Sequence, residues 1–415
     1  MPSSPDILWI VTTQWRAQAT GYAGDVNAHT PSLDALAANS VNYTQAVTPH
    51  PFGPFARAAM LTGVLSPENG VRDYFDPLPI MSRTIAHGLG QRGYRTAFFG
   101  KWHLWKRDAL APLVGEPHAK IVVPPEARGG FEFWEGFESG FQLNNPWLHG
   151  TQLPEPTRFP GYQPEVLCGR AAEWLGNQDR KATSQTPKVS EPEPLFCMVS
   201  LETPHPPYDA PAAGVNAIDP ATLQLATNVP RGGEIEARAR RELSGYYAHI
   251  EATDRAIGRL LKAVGQDVLV IFTSVHGDMH GAHGLFRKGW PYEESVRVPL
   301  LVRLPGGSAK TCDEAASLAD LSRLIESYVE SGRWPKIETE FAAISMPSVV
   351  QLPLQCERVW QGRRSKTRKQ IFAEDGSLWL DFDLANDPDE TINRAQNGGC
   401  GGQENRNQSG AGKAD

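Results

Sequence analysis

The sequence is poor in cysteine and contains no long uninterrupted apolar run. Only five of its 415 residues are cysteines, and none of them has the CxxC spacing of a redox or zinc motif. Scattered thiols of odd number favour buried free cysteines over a disulfide framework. No stretch of about 18 or more apolar residues is present, so the sequence offers no candidate transmembrane helix.

An excess of positive charge is also missing. The 40 Lys and Arg residues against 47 Asp and Glu residues give a net charge of −7. This balance disfavours a nucleic-acid or anionic-membrane partner, although a local basic pocket is compatible with it. The opening residues, MPSSPDILWIVTT, lack the basic segment of a secretory signal. We therefore expect a cytoplasmic protein, and the oligomeric state is left open.

A nucleophile is absent from one conspicuous loop, PHPFGPFARAAMLTG (49–63). Gly53 followed by Pro54 predicts a helix start, because proline fits the first helical turn. The helix N-terminus and Arg57 together can attract an anion. No Ser, Cys, Asp or His lies between Pro51 and Arg57. The loop therefore predicts an anion-binding position without a group that could attack the anion.

Apolar runs alternate with helical patterns along most of the chain. Nearly continuous apolar runs predict buried strands at 6–13, 94–100, 195–202 and 267–274. Amphipathic patterns predict helices at 30–40, 54–62, 83–93, 165–177 and 234–265. This alternation predicts an α/β fold with a central, mostly parallel β-sheet flanked by helices.

Polar side chains that can carry chemistry follow each predicted strand. Ligands of open α/β sheets bind beyond the carboxyl ends of the strands, so we expect these side chains to meet at one edge. They are Thr13 and Gln14 after the first strand, Lys101 and His103 after the second, His205 after the third, and His276 after the fourth.

The chain divides into a main domain and smaller pieces. We predict an α/β domain over 1–305 and a smaller C-terminal α+β subdomain over 306–396, with a closing strand in LWLDFDLANDPDE. The polar, proline-bearing stretch 179–194 is expected to be an exposed loop. The low-complexity tail 397–415 is expected to be disordered.

Several motifs in order resemble the sulfatase branch of the alkaline phosphatase superfamily, over the chain to about residue 395. The resemblance implies an alkaline-phosphatase-like fold. The motifs are DILWIVTTQWRAQATGYAG, TPSLDALAANSVNYTQA, RAAMLTG, GYRTAFFGKWHL, TPHPPYDAP, FTSVHGDMHGAHGLFRKG, YEESVRVPLLVRLPG and LDFDLANDPDE.

The resemblance also implies a reaction, the hydrolysis of sulfate esters. In the family, the cysteine of a Cys-x-Pro-x-Arg tag is oxidised to formylglycine, whose hydrated form attacks sulfur. A divalent cation, usually calcium, is held by aspartates after the first strand and by an Asp-Asn or Asp-His pair after a later one. Such a hard cation needs several anionic oxygens, and it polarises the sulfate.

Part of this apparatus is matched here. By the resemblance, the residues expected to contact the anion are Arg57, Lys101, His103, His205 and Lys288. Five such residues at the strand ends of one sheet predict a pocket for a small anion or a sulfate ester.

The metal ligands are largely replaced. Thr13 occupies the position of the first aspartate and Gln14 follows it, while Val275 replaces the aspartate before His276. Gln14 and His276 are the remnants that could still ligate. We expect Asp278 to be a turn residue near the site and not a replacement ligand. Because calcium generally takes 6–8 oxygens, no calcium is expected in this chain.

The tag has lost its nucleophile in either alignment. Counting back from Arg57 places Gly53 at the cysteine position, and an alternative with Ala56 inserted places Phe52 there. Neither residue can become formylglycine. Because removing the nucleophile of a covalent mechanism commonly costs on the order of 10⁶ in kcat, we expect this chain to be inactive or severely impaired.

Four interpretations follow. The first is a degenerate sulfatase-fold protein that binds an anion without turnover. The second is an active sulfuric or phosphoric ester hydrolase that uses water, with His103 or His276 as base. The third is a non-catalytic scaffold. The fourth is deliberate inactivation, against which the irregular FGPFAR tag favours natural drift.

Overall fold

A ten-stranded mixed sheet forms the centre of the computed structural model, which describes residues 5–181, 193–337 and 339–395. A four-stranded antiparallel sheet lies toward the C-terminus, and two short strands pair separately. Within these ranges the strands are β1 (Ile7–Thr12), β2 (Val41–Tyr43), β3 (Ala46–Val47), β4 (Arg95–Lys101), β5 (Phe133–Phe137), β6 (Trp147–Gly150), β7 (Thr157–Arg158), β8 (Leu195–Ser200), β9 (Leu269–Ser274), β10 (Leu300–Arg303), β11 (Lys310–Cys312), β12 (Ala316–Ser317), β13 (Ala342–Met346), β14 (Trp360–Arg364), β15 (Arg368–Ala373) and β16 (Leu378–Asp383).

The longest helix has acidic residues at its start and a basic residue at its end. Glu234 and Glu236 lie in its first turn and Lys262 in its last, which complements the helix dipole. None of the described helices combines the length and the apolar character that crossing a bilayer requires. The α-helices are α1 (Pro31–Ala37), α2 (Gly53–Thr62), α3 (Ile85–Gly90), α4 (Glu116–Ala119), α5 (Gln163–Lys181), α6 (Glu234–Val264), α7 (Glu293–Val296) and α8 (Leu321–Ser331).

The five central strands of the large sheet run parallel, in the order β9, β1, β8, β4 and β5. Antiparallel neighbours flank them, with β10 beside β9 and β6 beside β5. Every residue of β1, β8 and β9 is buried, because these apolar strands are covered on both faces. The carboxyl ends of β1, β4, β8 and β9 therefore open at one edge of the sheet.

The predicted α/β fold is confirmed, and the sheet is mixed. The four predicted strands form β1, β4, β8 and β9, and the five predicted helices form α1, α2, α3, α5 and α6. The antiparallel edge strands were not predicted. Strands as short as β7, with two residues, are too brief for a periodic pattern to reveal.

The chain beyond residue 305 divides between the two larger sheets. Strand β11 pairs with β2 at the edge of the ten-stranded sheet, whereas β13–β16 form the antiparallel sheet. Helix α5 continues to Lys181, into the stretch predicted as a loop from 179. The rest of that loop up to 192 and the predicted tail (397–415) lie outside the described residues, and the domain boundary stays a prediction.

The described cysteines are free thiols. Cys168, Cys197 and Cys356 are buried and Cys312 is half-buried. For these four residues the prediction of free thiols is confirmed, and Cys400 lies outside the described residues.

Candidate functional site

The strand ends enclose a small cavity of about 20 Å³. This volume accommodates about one water molecule, which needs roughly 10–15 Å³. Most predicted site residues contribute to its wall. The lining residues are Thr13, Phe52, Gly53, Tyr74, Lys101, His103, Phe141, His205, His276, Lys288 and Leu352.

Helix α2 delivers the tag to this cavity. Phe52, in extended conformation, precedes the helix, Pro54 lies in its first turn, and Gly63 ends it with a left-handed φ of 72°. A Cβ atom added at Gly53 would lie 2.8 Å from Nδ1 of His103. A side chain at position 53 would thus point at the histidine, which is the direction that the resemblance implies for the family's nucleophile.

Arg57 joins three strand ends. Its Nη1 donates to Oγ of Ser200 (2.6 Å) and to the carbonyl oxygen of Lys101 (3.1 Å), and its Nη2 donates to Oγ1 of Thr13 (3.0 Å). Burial lowers the pKa of Arg57 to about 10. Since both terminal nitrogens are engaged and the side chain is not part of the cavity wall, its predicted contact with an anion would require rearrangement.

Lys101 forms a buried ion pair that the motifs did not predict. Its Nζ donates to Oε1 of Glu202 at 2.7 Å and lies 4.5 Å from the centre of the Phe141 ring. Burial lowers the pKa of Lys101 to about 8, although Glu202 opposes this shift. The available signal for Glu202 was its position in LETPHPP, at the carboxyl end of the strand predicted over 195–202.

His103 lies over the start of helix α2 without a hydrogen-bond partner on either ring nitrogen among the described residues. The backbone of His103 has a positive φ of 60°. Its N–H donates to the carbonyl oxygen of Glu138 (2.9 Å), and its carbonyl oxygen accepts from Nη1 of Arg107 (3.2 Å). Burial, followed by the charges of Lys101 and Arg107, holds the pKa of His103 well below its ordinary value. The imidazole is therefore neutral.

Lys288 connects Gln14, a predicted remnant of the metal site, with His205, a predicted anion-contacting residue. Its Nζ donates to Oε1 of Gln14 at 2.7 Å and lies 3.1 Å from Nε2 of His205. The amide nitrogen of Gln14 in turn donates to Asp278. Burial lowers the pKa of Lys288 to about 7.

Asp278 lies in the irregular segment after β9, and it contacts the site through Gln14. Its Oδ1 accepts the backbone N–H groups of His280 (3.1 Å) and Arg287 (2.9 Å), and its Oδ2 accepts the hydroxyl of Tyr208 (2.7 Å). Burial opposes ionisation, but His280 and Arg287 lower the pKa of Asp278 below its ordinary value.

The other two predicted histidines are fixed by neighbouring carbonyl groups. Nδ1 of His205 lies 2.7 Å from the carbonyl oxygen of Pro206, and Nδ1 of His276 lies 2.9 Å from that of Gly277. The ring of His205 stacks on Phe141 at 4.5 Å. Burial and then Lys288 hold the pKa values of both histidines well below the ordinary value, so both rings are neutral.

The residues present do not fit calcium or formylglycine. Thr13 donates to the carbonyl oxygen of Leu201 and accepts from Arg57, and Val275 is fully buried and apolar. Oε1 of Gln14 already accepts a hydrogen bond from the Lys288 ammonium. Of the two predicted remnant metal ligands, only Nε2 of His276 is therefore still free to bind a metal. Calcium needs far more oxygen ligands than this.

Comparison with known proteins gives concordant matches. The sulfatase family model matches residues 5–327. The ulvan-active sulfatase of Formosa agariphila is 37% identical over 316 residues, covering 74% of this chain and 57% of that protein. The arylsulfatase of Clostridium perfringens is 25% identical over 459 residues, covering 94% and 90%.

A solved structure agrees with the fold. The crystal structure of YidJ from Bacteroides fragilis superimposes with a TM-score of 0.80 at 24% identity, covering 95% of this chain and 92% of that one. The chain spans little more than half of the ulvan-active sulfatase but nearly all of the arylsulfatase. From the family match across residues 5–327, we conclude that this chain belongs to the sulfatase family.

Proposed function

We propose that this member of the sulfatase family binds an oxyanion or a sulfate ester without hydrolysing it. The observation that carries the proposal is Gly53, a residue without a side chain at the start of helix α2 whose Cβ direction meets His103. A covalent mechanism has no attacking atom at this position. The absence of a fitting calcium set supports the same conclusion.

The charge of the cavity favours an anion. Lys101 and Lys288 both place an ammonium group in its wall, and only Lys101 has a carboxylate, that of Glu202, within ion-pair distance among the described residues. The N-terminus of helix α2 adds a partial positive charge from its free N–H groups. An incoming oxyanion would give the Lys288 ammonium the direct ion-pair partner that it lacks among the described residues.

Entry of a sulfate group requires movement, because the cavity has room for about one water molecule. Leu352 is the lining residue contributed by the irregular segment between β13 and β14. We propose that displacement of this segment admits the ligand. The likeness to an ulvan-active sulfatase supports a sulfated carbohydrate as the ligand class.

Calorimetric titration with sodium sulfate tests the anion site. We expect the wild-type chain to bind sulfate and Lys101→Ala to bind it at least about tenfold more weakly, because the variant loses one of the two ammonium groups in the cavity wall. Lys120→Ala is a matched control, because Lys120 is an exposed lysine outside the cavity. Absence of sulfate binding in the wild type would disprove the proposal.

A second candidate function is ester hydrolysis with water as nucleophile. The observation that favours it is the neutral imidazole of His103, which has no partner and could accept a proton from water attacking the sulfur or phosphorus atom. Turnover of an aryl sulfate or an aryl phosphate that disappears in His103→Ala would favour this function over non-hydrolytic binding. No turnover with several divalent metals would favour the first proposal.

A further inference from the structure

A second group of ligating side chains lies outside the candidate active site. His283, Glu294 and Glu390 each present one imidazole nitrogen or carboxylate oxygen, and these three atoms lie within 4.8 Å of one another. None of the three residues lines the strand-end cavity. They come from the short helix Ala282–Gly284, from α7, and from the chain that follows β16.

Asn228 contacts two members of this group. Its Nδ2 donates to Oε1 of Glu294 at 2.7 Å, and it lies 3.2 Å from both Nε2 of His283 and the carbonyl oxygen of Asp389. Three acceptor groups thus converge on a single amide nitrogen. Meanwhile Oδ1 of Asn228 is buried and has no partner among the described residues.

Glu294 is a buried carboxyl group that has no ion-pair partner in the described chain. The residue is only 5% exposed, its Oε2 has no hydrogen-bond partner, and no Lys or Arg of the described chain lies within ion-pair distance of it. The adjacent Glu293, in contrast, pairs with Arg364 at 2.9 Å and Lys369 at 3.1 Å. A buried carboxylate without a cation is costly, so an unfilled acceptor of this kind points to an absent positive ligand.

We propose that His283, Glu294 and Glu390 bind a divalent transition-metal ion of the Zn²⁺ class, with Oδ1 of Asn228 as the fourth ligand after rotation of its amide. One nitrogen and several oxygens suit Zn²⁺, whereas calcium would require a larger set of oxygens. In a tetrahedral Zn²⁺ site with bonds of about 2.0–2.1 Å the ligand atoms are roughly 3.4 Å apart, so the three side chains have to draw closer around the ion than the 4.8 Å limit within which their ligand atoms lie.

The ion would connect parts of the chain that are distant in sequence. Glu390 follows the last strand of the antiparallel sheet, and it already receives the ammonium of Lys369 from β15. Glu294 and His283 belong to the connection between β9 and β10 of the large sheet. The ion would therefore be structural, and it would stabilise the attachment of the C-terminal sheet. This inference does not depend on the function proposed for the strand-end cavity.

The test uses the full chain, stripped of metal and titrated with ZnCl₂ alone by calorimetry and thermal unfolding. We expect one Zn²⁺ per chain at this site and a Zn²⁺-dependent rise in Tm. In Glu294→Gln the affinity should fall at least tenfold, while the amide oxygen still accepts from Asn228 and keeps the fold. In Asn228→Asp the affinity should rise, because the amide becomes a carboxylate.

Two control variants separate this site from other histidines. His276→Ala removes the imidazole of the strand-end cavity whose Nε2 has no partner among the described residues, and His29→Ala removes an exposed histidine beside Glu251. Both should leave the Zn²⁺-dependent rise in Tm unchanged. The proposal is overturned if the wild type does not respond to Zn²⁺, if Glu294→Gln responds equally, or if His276→Ala abolishes the response.

Discussion

The ammonium nitrogen of Lys288 lies 2.7 Å from Oε1 of Gln14. The resemblance implied that a divalent cation would face the side chains after the first strand, and here a lysine faces one of them. The charge of a lysine depends on pH near neutrality when burial lowers its pKa, whereas that of a bound calcium ion does not. The anion site proposed for this protein should therefore depend on pH in a way that a calcium site would not.

Sulfate binding should weaken as the pH rises from 6 to 9. Burial places the pKa of Lys288 at about 7 and that of Lys101 at about 8, so both ammonium groups lose their charge across this range. Each pH unit above a pKa lowers the charged fraction about tenfold, so we expect the Kd for sulfate to rise at least about tenfold. Calorimetry at the two pH values measures it. In Lys288→Met the dependence between pH 6 and 7.5 should flatten, and a wild-type Kd independent of pH would contradict the prediction.

A side chain at position 53 should destabilise the fold through His103. The new Cβ would lie 2.8 Å from Nδ1 and 3.0 Å from Cε1 of the ring, which is buried and borders a cavity of only about 20 Å³. Gly53→Ala should lower the free energy of unfolding by about 1–3 kcal/mol, the usual cost of overpacking a core. Urea denaturation measures this change.

A double-mutant cycle isolates the steric contact. The loss caused by Gly53→Ala should be smaller in a His103→Ala background, where the ring is absent. Gly90→Ala is a matched control, because a Cβ at that helical glycine meets no atom within 4 Å. Equal losses with and without the His103 ring would show that the contact is not the cause.

The sequence could predict which strands deliver the site, because long apolar runs followed by Thr-Gln, Lys-x-His and His-Gly are local features. It could not predict how those side chains pair. Glu202 with Lys101 and Gln14 with Lys288 are contacts between residues about 100 and 270 positions apart, and they depend on rotamers that no periodic pattern encodes. For the same reason the sequence could not predict the orientation of Arg57, whose guanidinium donates hydrogen bonds to the strand ends and does not line the cavity.

Glu138 should be essential for stability near His103, although the motifs gave no indication of it. Its carboxylate accepts from Arg107 at 2.9 Å, and both side chains are fully buried. Glu138→Gln leaves the guanidinium without a charged partner, which commonly costs about 3–5 kcal/mol when one member of a buried pair is removed. Urea unfolding should show this loss. Glu135→Gln serves as comparison, because its partner Arg170 is partly exposed and the loss should be smaller.

Restoration of catalysis should need all three missing elements together. Thr13→Asp and Val275→Asp would return two carboxylates. Gly53→Cys would return the nucleophile in a chain in which Phe55→Pro also rebuilds the Cys-x-Pro-x-Arg tag and which is expressed with a formylglycine-generating enzyme. We expect each single variant to show no aryl-sulfate turnover, because calcium and formylglycine depend on each other in the family mechanism. Calcium should leave the Tm of the wild type unchanged and raise that of the triple variant. Turnover by the wild type in calcium would contradict the prediction. A triple variant that binds calcium and carries formylglycine but remains inactive would also contradict it, because the deficit would then extend beyond residues 13, 53 and 275.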